Sequence, residues 1–502
     1  VNYNGLLFIN VNIGKIMWSA KPFLYQINTW VWLNALSRQY QKPITLDNVP
    51  EAVLDQLALL NVDAVWLMGI WTRSAEARKS ALNYKHEYRY TLPDLTDDDI
   101  IGSAYAIYAY EVEPRHGGRT GLAALRQRLA ARGLRLILDF VPNHTATDSV
   151  WITEHPSHYV QGTPRDLRKQ KDVFFETRDA WGRSLILAHG RDPYFPAWID
   201  TAQLNAFDHG YRQQAVRTLR DIAAQCDGVR CDMAMLMLNS IFEQTWMSHV
   251  DDAPPIEFWA EVISHVNEMY PEFLFIAECY WGLEYTLQQQ GFDYTYDKTL
   301  YDRITSGQID KIYDHLTAML DYQKRSVHFI ENHDEPRANA HFGTAKSKAA
   351  AVLMSTIPGM VLLHDGQFEG YKVKLPVQLA RKPEERADET LRAFYLTLLQ
   401  EMRSSIYQHG QWTLFDVSDD DLLAYGWWDG EPVRLVLVNL TSEAQQGVVN
   451  LGAWDRLAEG TWTLHNIFNG GTITYTGSEL IKNGLPVEIE AYTAHIYHVE
   501  RA

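Results

Sequence analysis

Four short stretches of this 502-residue chain set carboxylates, histidines and arginines directly after compact apolar runs. They are Asp139-Phe140-Val141-Pro142-Asn143-His144, Gly228-Val229-Arg230-Cys231-Asp232, Ala277-Glu278-Cys279-Tyr280-Trp281 and Glu331-Asn332-His333-Asp334-Glu335-Pro336-Arg337. If the apolar runs are strands, side chains alternate, so Arg230 and Asp232 share one face and Cys231 takes the other. An arginine beside an aspartate favours the charged carboxylate. Neighbouring strands lie roughly 4.8 Å apart, so Glu278 at the next strand end can approach Asp232 closely. Two carboxylates about 5–5.5 Å apart can displace a group at a sugar carbon twice, one as nucleophile and the other as acid, then base. A lone aspartate at a strand end more often caps a helix or joins an ion pair. Four acidic strand ends in one chain, two with histidines, are costly to bury together without a function.

The elements that must carry these residues repeat along the chain. An amphipathic helix, a short break and a compact apolar strand recur: VPEAVLDQLALLNV then DAVWLMGI (49–70), GLAALRQRLAARG then LRLILDF (121–140), and four further pairs ending at Asp232, Glu278, Asn332 and in MVLLHDG. Gly133 stands where a helix C-cap glycine belongs. With PFLYQIN near 25 and GFDYTY near 293, the count is eight strands. Alternating helices and continuously apolar strands imply a parallel sheet covered by helices, and eight of them fit a (β/α)8 barrel. No Gly-rich phosphate loop of the open doubly wound sheet is present. The predicted organisation is a barrel from 1–141 and 204–409, an irregular insertion after the third strand at 142–203, and a C-terminal antiparallel β-sandwich at 410–502. In the sandwich WTLFDV, LLAYGWW, VRLVLVNL, TWTLHNIF, GTITYT and AHIYHVE read as strands.

Composition narrows the partners. The formal net charge is −18, which disfavours nucleic acid and strongly anionic substrates and suits a neutral one. Three cysteines make no disulfide framework and no zinc motif; Cys231 and Cys279 are expected to be reduced thiols packed against helices. No apolar run is long enough for a membrane span. The first residues show neither a basic leader region nor a cleavage site, so a cytoplasmic protein is expected. The sequence carries no signal for oligomeric state.

DFVPNH (139–144), GVRCD (228–232), IAEC (276–279) and ENHD (331–334) resemble, in order, the four signature regions of the α-amylase superfamily, glycoside hydrolase family 13. WIDTAQLN (198–205) is similar to its fifth region, and PGMVLLHDGQ (358–367) to its eighth-strand segment. The resemblance implies that Asp232 is the nucleophile, Glu278 the acid and then base, and Asp334 the stabiliser of the transition state. It implies that Arg230 orients Asp232, that His144 and His333 bind sugar hydroxyls, and that Tyr105 stacks on the sugar. Arg337 would touch the same sugar, and Asp139 would be structural. Trp281 is either a sugar platform or a core residue, and Trp427, Trp428 and Trp462 pose the same choice in the sandwich. The implied substrate is a malto-oligosaccharide or small α-glucoside.

The sequence departs from the family pattern at three places. Ala106 follows Tyr105 where an aspartate is common, Met235 and Leu236 replace a frequent Lys-His pair, and the bulky Met233 follows Asp232. The resemblance requires no cofactor for the chemistry and leaves room for a structural calcium at Asn143. Two alternatives share the fold: a transferase or isomerase using the same three carboxylates, and an inactive glucan-binding scaffold.

Overall fold

The computed structural model describes residues 18–430 and 433–502. The reading of the first 17 residues as lacking a leader lies outside them. No described helix is long and apolar enough to cross a membrane.

All eight expected strands are present and close into one parallel barrel. They are β1 (Phe23–Asn28), β2 (Ala64–Met68), β3 (Arg135–Phe140), β4 (Gly228–Cys231), β5 (Leu274–Ala277), β6 (Tyr294–Tyr296), β7 (Ser326–His328) and β8 (Met360–His364). Each lies beside the next in sequence, and β8 closes on β1. Parity sorts the side chains. Leu24, Trp66, Ile137, Leu274, Ile276, Val327 and Leu362 fill the interior. Their neighbours Val65, Leu138, Val229, Cys231, Phe275 and Val361 join the core shared with the helices. The interior is tight at Gly228, where a Cβ would come within 2.8 Å of Ile137 and Leu274. Gly133 takes φ +77° between helix Gly118–Ala130 and β3, as a C-terminal glycine should.

N–H groups at the starts of strands need partners at the barrel floor. Asp63, Asp227 and Asp293 precede β2, β4 and β6, and their carboxylates accept from Phe23, Leu136 and Phe275 on β1, β3 and β5. Burial pushes Asp63 up to about 6. The three cysteines are buried and free, and burial raises the thiols of Cys231 and Cys279 well above the usual range.

The segment after β3 is more regular than its sequence suggests. It contains the hairpin Phe174–Arg178/Ser184–Ala188, and its end, Thr201–Gln203, pairs antiparallel with His144–Ala146. The C-terminal region holds a six-stranded antiparallel sheet whose strands coincide with the six read from the sequence. A second sheet, Gln445–Val449 with Leu485–Ile489, supplies the other layer of that core. Its strands escape the sequence because Gly447 and Pro486 interrupt them. Trp427 is buried in the core shared with the barrel, Trp462 is buried in the core between the two sheets, and Trp428 packs partly buried on the latter, so these rings are packing residues. Trp427 donates to the carbonyl of Thr356 at 2.6 Å, which ties the sheet to helix Gly343–Thr356 of the barrel.

Candidate active site

The strand register assembles the site. Arg230 on β4 lies level with Asp139 on β3 and with Ile276 on β5. Two residues further on, with the same inward parity, come Asp232 and Glu278 on adjacent strand ends. Arg230 is fully buried and bridges them. One terminal nitrogen donates to Asp232 Oδ1 at 2.6 Å. The other lies 2.8 Å from Glu278 Oε2 but off the N–H axis, an ionic contact rather than a hydrogen bond. With the planar guanidinium between them, the two carboxylate oxygens lie within about 8 Å of each other, on one side of the sheet. The guanidinium carbon sits 5.3–5.8 Å from the rings of Trp66, Tyr105 and Tyr296. Burial works against its charge, but Glu278 foremost among its neighbours holds its pKa well above the ordinary value.

Arg230 therefore does not serve Asp232 alone, as the sequence suggested. It faces three carboxylates, with Asp139 Oδ1 at 3.7 Å. Burial first, then the charges of Glu278 and Asp139, push the Asp232 carboxyl well above the usual range, against the pull of Arg230. Three carboxylates around one cation in a dry site carry more negative charge than the site can balance.

Glu278 has two further partners that the sequence did not announce. Its Oε1 accepts from the Tyr280 hydroxyl at 2.7 Å. Its Oε2 accepts from the Met233 N–H at 2.6 Å, and Met233 adopts φ +41° to present it. A non-glycine residue in that region is strained, and here the strain sits immediately beside Asp232. Tyr280 stands two residues beyond Glu278, so strand parity could have found it. Met235 and Leu236 follow in the buried turn Ala234–Met237.

His333 organises the opposite side. Its Nδ1 meets Gln26 Nε2 at 2.6 Å; its Nε2 lies 2.7 Å from the Tyr105 hydroxyl and 2.9 Å from Asp334 Oδ2. The Tyr105 ring stacks on His333 at 5.4 Å. The Asp334 side chain is 49% exposed, facing the open mouth. Enclosure by the rim works against its ionisation, but His333, Arg230 and Lys374 hold it well below the ordinary carboxylate range. His144 is buried against Trp198, at 5.1 Å between rings, and burial drops it to about 3, so it is neutral.

Three expected residues stand apart. Arg337 is held by Glu331 at 2.9 Å, by His364, and by the Asp365 carbonyl at 2.9 Å, so its fork braces the rim between β7 and β8. Trp281 is no core residue: it is 39% exposed, with φ +65°, and meets the exposed Tyr194 edge-on at 4.9 Å. The donors around Asn143 do not fit a calcium ion. Its Oδ1 accepts from Gln203 at 2.8 Å and its Nδ2 lies 3.3 Å from Gln203 Oε1, so the amide closes the insertion onto β3. Among the described residues no group of three or more His, Cys, Asp or Glu is placed to hold a metal ion.

The family model of the alpha amylase catalytic domain matches residues 51–394. The chain is 22% identical over 360 residues to Alpha-amylase 3 of Dictyoglomus thermophilum, over 67% of this chain and 62% of that protein. It is 26% identical over 414 residues to Alpha-amylase MalA of Haloarcula japonica, over 79% of this chain and 51% of that protein. The match thus spans only about half to six-tenths of these curated relatives. Among solved structures, a maltogenic alpha-amylase AmyB from Thermotoga neapolitana superposes with a TM-score of 0.69 at 18% identity, over 95% of this chain and 98% of that one. An alpha-amylase from Geobacillus thermoleovorans in complex with acarbose gives 0.67 at 16% identity, over 97% and 100%. The trehalose-6-phosphate hydrolase of Bacillus licheniformis gives 0.64 at 14% identity, over 97% and 100%. At these identities the superpositions speak for the fold, and the matched domain speaks for descent: the chain belongs to the alpha-amylase family through its catalytic domain.

Proposed function

We propose that the protein hydrolyses α-glucosidic bonds of malto-oligosaccharides or related small α-glucosides with retention of configuration. Asp232 attacks the anomeric carbon and forms a glycosyl ester while Glu278 gives its proton to the leaving oxygen. Glu278 then takes a proton from water, which attacks the same carbon and frees Asp232. The observation that carries this reading is the single guanidinium of Arg230 in contact with both carboxylates. Its aligned hydrogen bond goes to Asp232 and only an off-axis contact goes to Glu278. That asymmetry suits Asp232 to the nucleophile's part and leaves the acid's part to Glu278. Asp334, kept ionised by His333, answers the positive charge that develops on the sugar ring. His333 and Tyr105 supply a polar edge and a flat face for that sugar, and neutral His144 offers a ring nitrogen for a hydroxyl. Proton NMR of the first product decides the stereochemistry. An α-anomer released first is the expected result, and a β-anomer released first rules out double displacement here.

A further inference from the structure

We infer that the enzyme cuts a single glucosyl unit from the non-reducing end, because residues 371–382 wall off the site beyond the first sugar. The inference rests on the roles proposed for Asp232 and Glu278, which give the mouth a direction. The leaving group must lie on the side of the acid, toward Tyr280, Trp281 and Tyr194. The sugar that becomes attached to Asp232 must lie toward Asp334, His333 and Tyr105.

Beyond those three residues the chain after β8 crosses the mouth and is tied down on both sides. At one edge Lys374 donates to the backbone carbonyl of Asp334. At the other, Arg73 donates to Val377 O at 2.8 Å. Ile101 N–H donates to Gln378 O, and Ala380 N–H donates to Asp99 O, both at 2.8 Å. Leu379 bridges Ile100 antiparallel and is fully buried. Arg381 closes the clasp with Asp99 at 2.6 Å and Asp94 at 3.0 Å. A segment with paired backbone, a buried leucine and a charged clasp is a wall rather than a loose loop.

Between this wall and His333 remains a narrow cavity of about 50 Å³, lined by Met68, His333, Arg337, Tyr371, Lys374 and Leu375. It holds a few waters and not another pyranose. The acid side is different. Trp281 and Tyr194 stand 39% and 58% exposed, at 84° to each other. Two aromatic faces open to solvent suit the apolar faces of further sugars. We therefore place one sugar on the closed side and the rest of the chain over the open one.

The test compares maltoheptaose with a nitrophenyl maltoheptaoside whose non-reducing glucose carries an ethylidene block on O4 and O6. Glucose is expected as the first product from maltoheptaose. The blocked substrate should be cut at least roughly 100-fold more slowly, since it cannot enter a one-sugar pocket. Maltose or maltotriose as the first product, or equal rates on the two substrates, overturns the inference and leaves the proposed hydrolysis standing. Failure on both substrates removes the proposed hydrolysis, and this inference with it. Arg381→Ala unfastens the wall at its far edge, and Lys374→Ala at its near edge. Each should raise the rate on the blocked substrate about tenfold relative to wild type. If both variants melt as wild type does and neither gains on the blocked substrate, the wall is not the barrier and the inference falls.

Discussion

Two buried clusters of ionisable groups stand on the same barrel, and they are balanced in opposite ways. On the inner face, Asp232, Glu278 and Asp139 share one guanidinium. On the outer face, Asp297 alone faces two imidazoles, His315 at 2.8 Å and His328 at 3.2 Å. Asp297 also caps helix Lys298–Ser306 through Leu300 N–H at 3.0 Å. Both aspartates are almost fully buried. Burial works against ionisation in both, yet the two histidines hold Asp297 far below the ordinary carboxylate range while Asp232 is held above it. A carboxylate with enough partners is fixed in place. Carboxylates with too few retain a mobile proton, which is what chemistry requires.

Exchanging the aspartates for asparagines should separate the two roles most sharply. Asp232→Asn should lower turnover of an α-glucoside by roughly 10⁴-fold or more. Its thermal midpoint should stay level or rise at neutral pH, because the amide relieves the crowding of three carboxylates around one guanidinium. Full retained activity would remove Asp232 from the mechanism. Asp297→Asn should do the reverse and lose about 3 kcal/mol in urea unfolding, with kcat of the folded protein within a few-fold of wild type. If its unfolding midpoint matches wild type, the outer cluster is not the brace described here.

The pH dependence of stability sharpens the contrast. Burial works against the His315 cation, but Asp297 outweighs it and raises its pKa above 6.5. That contribution is complete below the unfolded value and is lost as pH rises through the folded one. The Asp297 contribution is present above pH 3.8 and is lost as pH falls below it. The outer cluster therefore stabilises most between about pH 4 and 6.5. His315→Gln should lower stability in that window and remove the decline above about pH 6.5, and an unchanged urea profile would contradict the pairing. The smallest expected effect belongs to Tyr280→Phe, which removes one hydrogen bond from Glu278. It should cost about tenfold in kcat/KM and displace a limb of the pH–rate profile without altering the melting midpoint. A profile that drops without displacement would mean Tyr280 only packs.

The strands were legible because each is a short buried run between amphipathic helices, and parity correctly set Arg230 with Asp232 against Cys231. Parity says nothing of reach across strands, so the contact from Arg230 to Glu278 emerges only with the β4–β5 register. The left-handed backbone of Met233 and Trp281 carries no local signal in either residue type. The Asn143–Gln203 pair joins residues sixty positions apart, and the Lys374–Asp334 tie joins residues forty apart. Such contacts are set by how loops close, and loop closure has no periodicity to read. Trp427 and Trp462 were ambiguous for another reason: a strand tryptophan has the same neighbours in sequence whether it faces a sheet or a solvent.

Cys231 and Cys279 each adjoin a member of the inner pair, yet their sulfurs point into the layer between strand and helix. An alkylating reagent meets no thiolate there while the barrel stays closed. Labelling at these two positions therefore keeps time on the parting of β4 and β5 from their helices. Because that clock is mounted directly behind the site, a sugar that grips the mouth should slow it, and one that merely touches the outer rim should leave it running.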